Sequence, residues 1–172
     1  MARKIDVTFH AFDEDRPGAK WREHFLGSRE EWIRWLASSE ANDRPSHAAC
    51  RRALAIHMPE LLAPHDHMVA LFDGDPVIGQ RVSYWGCPPL FGGCSVLALP
   101  GPPPTLLRSY DFTETFFDAL IWRSNWNGKR VVAMCDGAGG CLDGVNEDGL
   151  AAALTFGGRL DHGMGFAIPI IV

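Results

Sequence analysis

The sequence has no apolar run approaching the about 20 residues that a membrane-spanning helix needs. Its first residues, MARKIDVTFH, lack the apolar core and small-residue cleavage site of a secretory signal. Those absences make the cytoplasm the expected location. Positive charge is also scarce: 16 Lys and Arg stand against 21 Asp and Glu, for a net charge of −5. Nucleic acid and anionic membrane surfaces both demand clustered cations, and Arg51-Arg52 is too small a cluster to supply them. Neither is expected as a partner. The five cysteines (50, 87, 94, 135 and 141) are odd in number and irregular in spacing, which argues for reduced thiols over a disulfide framework. No internal repeat is visible.

What remains is an ordinary globular composition, 47% hydrophobic and 22% charged over 172 residues, enough for one domain and short for two. Lys4 to Phe9 alternates, with Ile5, Val7 and Phe9 on one side, and reads as an opening strand. Ser28 and Glu31 form a capping box, after which Trp32, Trp35 and Leu36 share a helical face. Residues 42–45 close that helix, and Ser46 caps a second one in which Leu54, His57, Met58 and Leu61 recur at helical spacing. Residues 1–65 are thus expected to be a strand followed by a helical hairpin.

Beyond His67, two short apolar segments, Met68 to Phe72 and Val77 to Tyr84, flank a strong turn signal at Asp73-Gly74-Asp75-Pro76. Trp85 to Gly93 reads as an extended connection. Cys94 to Leu99 then reads as a buried strand, Pro100 to Pro104 as a stiff turn, and Thr105 to Asp111 as a returning strand. Thr113 to Trp122 is either one short helix or an irregular packed segment. Val131 to Cys135 and Leu150 to Phe156 read as strands, separated by the Gly- and Asp-rich stretch 136–148.

The hairpin carries the chemistry: a thiol at a strand start, with Arg108 and Asp111 on the neighbouring strand. Together with GGCS (Gly92 to Ser95), RSYD (Arg108 to Asp111), DGVNEDGL (Asp143 to Leu150), LTFGGR (Leu154 to Arg159) and GFAIPIIV (Gly165 to Val172), it resembles the cysteine N-terminal-nucleophile (Ntn) hydrolases of the penicillin acyltransferase and linear-amide hydrolase branch. Weaker likeness extends upstream through MPEL (Met58 to Leu61) and PPLFGGCS (Pro88 to Ser95). Ser109 departs from the family, which often has Asn there.

The resemblance implies an α+β fold, the αββα sandwich of Ntn hydrolases. The chain ends on the apolar run IPIIV, so it is expected to hold only the N-terminal part of that sandwich, with a missing C-terminal half or an oligomer completing it. Cleavage between Gly93 and Cys94 would divide a pro-segment, residues 1–93, from the start of the catalytic chain, residues 94–172, the two remaining packed together. The implied substrate is a small-molecule amide or acyl thioester, with no metal or organic cofactor.

The expected roles follow from the chemistry. A new α-amino group has a reference pKa of about 7.7–8, so it can take the thiol proton without a histidine. The thiolate then attacks the acyl carbonyl. Hydrolysis and transfer to an amine stay equally open. Asp111 would orient the new ammonium, and Arg108 would steady the thiolate or the substrate's polar end. An offset of three puts that pair on opposite faces of a regular strand, so both reach Cys94 only if the strand ends or bulges near Tyr110. The resemblance further implies a backbone donor near Thr155 for the oxyanion.

Against these stand plainer readings: a core cysteine, a surface Arg–Asp pair, and a domain that keeps the fold signature while acting as a binding or assembly partner. His65-Asp66-His67 reads as a polar loop rather than a metal cluster, and Cys135 with Cys141 matches no zinc spacing. Residues 136–147 miss the alternation of a calcium loop. His57 reads as a packed core histidine and Asn146 as a turn former. Trp85, Phe91 and Trp122 are candidates for an acyl pocket or for ordinary core.

Overall fold

The computed structural model describes residues 4, 6–37, 44–87, 93–111, 117–136, 140–155 and 163–167. The chain is α+β. It runs β1 (His10–Asp13), α1 (Ala19–Ala37), α2 (His47–His57), a 3-10 turn (Pro59–Leu61), α3 (Leu62–Ala70), α4 (Pro76–Ser83), β2 (Gly93–Leu99), β3 (Thr105–Asp111), β4 (Leu120–Trp126), β5 (Lys129–Asp136), β6 (Gly140–Asn146) and β7 (Ala151–Ala153). Five strands form one mixed sheet in the order β1-β4-β5-β6-β7, and β2 with β3 forms a separate two-stranded sheet.

The opening strand begins later than the alternation of Lys4 to Phe9 predicts. Residues 6–9 are irregular, and Val7 and Phe9 are exposed. Pairing decides the boundary: β1 lies parallel to β4 with His10 opposite Leu120, and the His10 amide donates to Ala119 O at 2.9 Å. Helix α1 also starts well before Ser28. The Glu14 carboxylate accepts from the amides of Gly18 (3.1 Å), Lys20 (2.9 Å) and Trp21 (3.1 Å), satisfying orphan donors of its first turn. The capping box is therefore interior to the helix; the side chains of Ser28, Glu31, Trp32, Trp35 and Leu36 lie outside the described residues.

Ser46 caps α2 as expected, its Oγ accepting from the Ala49 amide at 3.2 Å. His57 does not sit in a core. It is exposed and stacks on Trp85 with ring centroids 5.9 Å apart. The two apolar segments after His67 are helical, in α3 and α4, and the turn between them has Asp73 and Gly74 at φ 56° and 80°. His65-Asp66-His67 lies inside α3 rather than in a loop. Each group there is taken up structurally: His65 Nε2 meets Gly79 O at 3.0 Å, His67 Nε2 meets Pro17 O at 2.7 Å, and Asp66 binds the Arg51 guanidinium at 2.7 Å.

The main core forms where helices cover one face of the sheet. Trp21 and Phe25 of α1, Val69 of α3, and Ile78 and Val82 of α4 pack against Leu120, Trp122, Ala133 and Cys135. Alternation along β4 produces this face: Leu120, Trp122 and Ser124 are buried, while Ile121, Arg123 and Asn125 point the other way. Trp122 is therefore core, and its Nε1 donates to Glu14 O at 3.1 Å, tying the N-terminal segment across the sheet. Emptying such a site costs about 3–5 kcal/mol.

Three further strands differ from expectation. Leu120–Trp126 is extended, not helical, because Asn127-Gly128 turns the chain directly into β5 with φ values of 52° and 79°. The Gly- and Asp-rich stretch contains β6, which lies within the sheet between β5 and β7. Strand β2 is exposed along most of its length, since among the described residues it pairs only with β3.

Candidate active site

Strands β2 and β3 pair antiparallel in unbroken register, with Gly93 opposite Asp111, Cys94 opposite Tyr110 and Val96 opposite Arg108. Period-two alternation therefore puts Cys94, Arg108 and Tyr110 on one face. That face meets the sheet surface opposite the helices, through Met134 and Asp136 of β5 and Asp143 of β6.

Arg108 is the hub. Its side chain is only 4% exposed. Nη1 donates to Cys94 Sγ at 3.6 Å, Nε donates to Asp143 Oδ2 at 2.5 Å, and Nη2 approaches Met134 Sδ at 3.7 Å. The guanidinium also lies 5.5 Å from the centroid of the Tyr110 ring. Burial works against its charge, but the hydrogen bond to Asp143, helped by Cys94, outweighs burial and raises its pKa. The cation beside the thiol is thus fixed and permanently charged.

Tyr110 is anchored in parallel. Its hydroxyl donates to Asp136 Oδ2 at 2.5 Å, and Asp136 Oδ1 accepts from the Asp118 amide at 2.8 Å. Burial, followed by the Asp136 charge, raises the phenol's pKa, so Tyr110 acts as a neutral donor at physiological pH.

Asp111 stands elsewhere. No bulge interrupts β3, so its side chain lies on the outer face with Ser109, whose Oγ donates to Asp111 Oδ1 at 2.9 Å. It flanks the backbone of Gly93 instead of the Cys94 thiol: a Cβ on Gly93 would lie 3.8 Å from Asp111 Cβ. Thr155 is exposed just past β7, one residue beyond Leu154, whose amide donates to Leu142 O at 2.8 Å. Asn146 shapes the β6–β7 turn, its Oδ1 accepting from the amides of Asp148 (3.1 Å) and Leu150 (3.0 Å). Phe91 lies outside the described residues.

Sequence reasoning brought out Cys94 and Arg108 but missed the groups that hold them, Asp143, Tyr110, Asp136 and Met134. The alternation of RSYD carried a usable signal for Tyr110, since it shares a strand face with Arg108. Asp143 opened a family-like block without an assigned role; only folding β6 beside β5 connects it to Arg108. Among the described residues no cluster of three or more His, Cys, Asp or Glu is arranged to hold a metal ion. A separate cleft of about 230 Å³ is lined by Arg16, Pro17, Leu61, His67 and Trp126, among others, and none of the Cys94 cluster borders it. Among the described residues no helix is long and apolar enough to cross a membrane. Comparison with protein-family models, with curated proteins and with solved structures gives no match for this chain.

Proposed function

We propose that Cys94 is the nucleophile of a cytoplasmic amide hydrolase or acyltransferase of the N-terminal-nucleophile type, activated by cleavage of the Gly93–Cys94 bond. The observation that carries this reading is the buried Arg108 guanidinium donating to Cys94 Sγ, with Asp143 fixing it from the far side. A cation held against sulfur is placed to steady negative charge there during attack. The layering of helices, sheet and hairpin supports an αββα sandwich.

In activation, Cys94 Sγ attacks the Gly93 carbonyl, the peptide C–N bond breaks, and the acyl group passes to sulfur as a thioester. Water then hydrolyses the thioester, leaving residues 1–93 with a carboxylate and Cys94 with a free amine. Gly93 is exposed and carries no Cβ to hinder that attack. The liberated amine is the base for turnover. Asp111, beside Gly93 on the outer face, holds the new ammonium, and a backbone N–H near Thr155 serves as oxyanion donor. The substrate is a small-molecule amide or acyl thioester, and the chemistry uses no metal or organic cofactor.

One observation favours a second reading, a binding or assembly role. Leu97, Leu99 and Leu107 of the hairpin are 54%, 43% and 50% exposed, apolar surface that suits a partner. Intact-mass analysis separates the two. The enzyme reading expects two fragments from the native sequence and a single chain from Cys94→Ala. A native chain that stays whole and resists labelling by a thiol-reactive acyl analogue leaves only the partner role.

A further inference from the structure

Strands β5 and β6 start in simple register, Val131 opposite Asn146 through Met134 opposite Asp143. The register then shifts, and Cys135 faces Cys141 and Asp136 faces Gly140. One extra residue, Leu142, accounts for the shift. Had the ladder continued unbroken, Cys135 would face Leu142 and Cys141 would face Asp136. The bulge thus juxtaposes two thiols that regular pairing would keep apart. It also turns Cys141 toward the helix-covered core that contains Cys135.

The spacing suits a covalent link. Directly opposed residues of an antiparallel ladder have Cα atoms about 4.5–5.5 Å apart, within the about 4.4–6.8 Å that a disulfide spans. Both thiols are free, and Cys135 Sγ is turned to Ala133 O at 3.9 Å. Cys135 is fully buried, whereas Cys141 is partly exposed. The facing thiols hold Cys141 below its ordinary pKa and push Cys135 up. Cys141 is therefore the less deeply buried thiol of the pair, and Cys135 lies behind it.

We propose that Cys135 and Cys141 form a reversible dithiol–disulfide site, closed by a peroxide and reopened by a small thiol. The Cys141 thiolate attacks peroxide oxygen, the O–O bond breaks, and water leaves, forming a sulfenic acid. Cys135 Sγ then displaces the sulfenic oxygen as a second water, and the S–S bond forms. Two electrons pass from the thiols to the peroxide. Reduced thiols are the resting state expected of a cytoplasmic protein, in which disulfides serve transient, sensing roles. Closure would staple the ladder at its bulge, next to Met134 and Asp143, the two residues of β5 and β6 that contact Arg108.

The test uses the full chain carrying Cys94→Ala, so its result does not depend on the reading of Cys94. After treatment with hydrogen peroxide and iodoacetamide, tryptic peptide 131–159, which contains both cysteines, is expected unalkylated and lighter by two hydrogens. Dithiothreitol restores a doubly alkylated peptide. With Cys135→Ser added, Cys141 is expected to proceed to sulfinic acid. In urea, where the register is lost, closure is expected to be about tenfold slower. The site is excluded if the native peptide stays doubly alkylated, if Cys141 over-oxidises while Cys135 remains reduced, or if folded and unfolded chains close at equal rates.

Discussion

Arg108 satisfies three different acceptors with one side chain, and each belongs to a different strand: Cys94 on β2, Met134 on β5 and Asp143 on β6. A lysine could not do this, because its ammonium is a point charge without the planar fork. Removing the guanidinium takes a charge-assisted hydrogen bond from sulfur and leaves Asp143 without its cation. Arg108→Gln is expected to slow alkylation of Cys94 by iodoacetamide roughly tenfold, in line with the 1.5–3 kcal/mol of a hydrogen bond to a charged group, taken at its lower end (about 1.5). Far-UV circular dichroism guards against unfolding as the cause. Unchanged alkylation in a folded variant removes Arg108 from the thiol's chemistry. At this scale the sequence was half legible. Cys94 and Arg108 stood out because both come from one local hairpin. Asp143 and Asp136 did not, since no local pattern predicts which residues a hairpin meets across a sheet.

At the scale of elements, turn chemistry and strand pairing decide what propensity leaves open. Asp73-Gly74 was readable, and the turn is where the residues put it. Asn127-Gly128, a hairpin dipeptide that the sequence reading did not single out, follows an aromatic run that reads equally well as a helix or an irregular segment. The tie is broken by β1, which lies more than a hundred residues earlier in the chain and pairs with Leu120–Arg123. The early start of α1 has a similar origin, for Glu14 reaches forward over several residues to cap it, a spacing no capping box encodes. The importance of the β4–β5 turn is measurable. Gly128 sits at φ +79° with open space around it, so Gly128→Ala meets conformational strain and no clash. A loss of about 1–2 kcal/mol is expected, read as a lower urea midpoint at unchanged slope. Stability equal to the native chain argues that the turn relaxes to another type.

For the molecule as a whole, the decisive feature is that the segment preceding Cys94 is built into the same sheet and core as the segment that follows it. Strand β1 pairs with β4, and the amides of Glu14 and Asn125 exchange bonds with Arg123 O and Asp15 O at 3.1 and 3.0 Å. Trp21 and Phe25 of α1 pack in one cluster with Leu120 and Trp122. Cutting the backbone at Gly93–Cys94 severs none of these contacts. It makes folding bimolecular in principle, but dissociation would expose aromatic side chains each worth about 3–5 kcal/mol and strip β4 of a partner strand. If the bond is cleaved, residues 1–93 and 94–172 are therefore expected to elute together on size exclusion, at the volume of the uncut Cys94→Ala chain, and to separate only in denaturant. Raising salt should leave the complex whole, because apolar burial and backbone pairing hold it and neither is screened. Separate elution of the pieces under native conditions would mean that β1 and α1 are not held by the packing described, and that the break disassembles the protein instead of activating it.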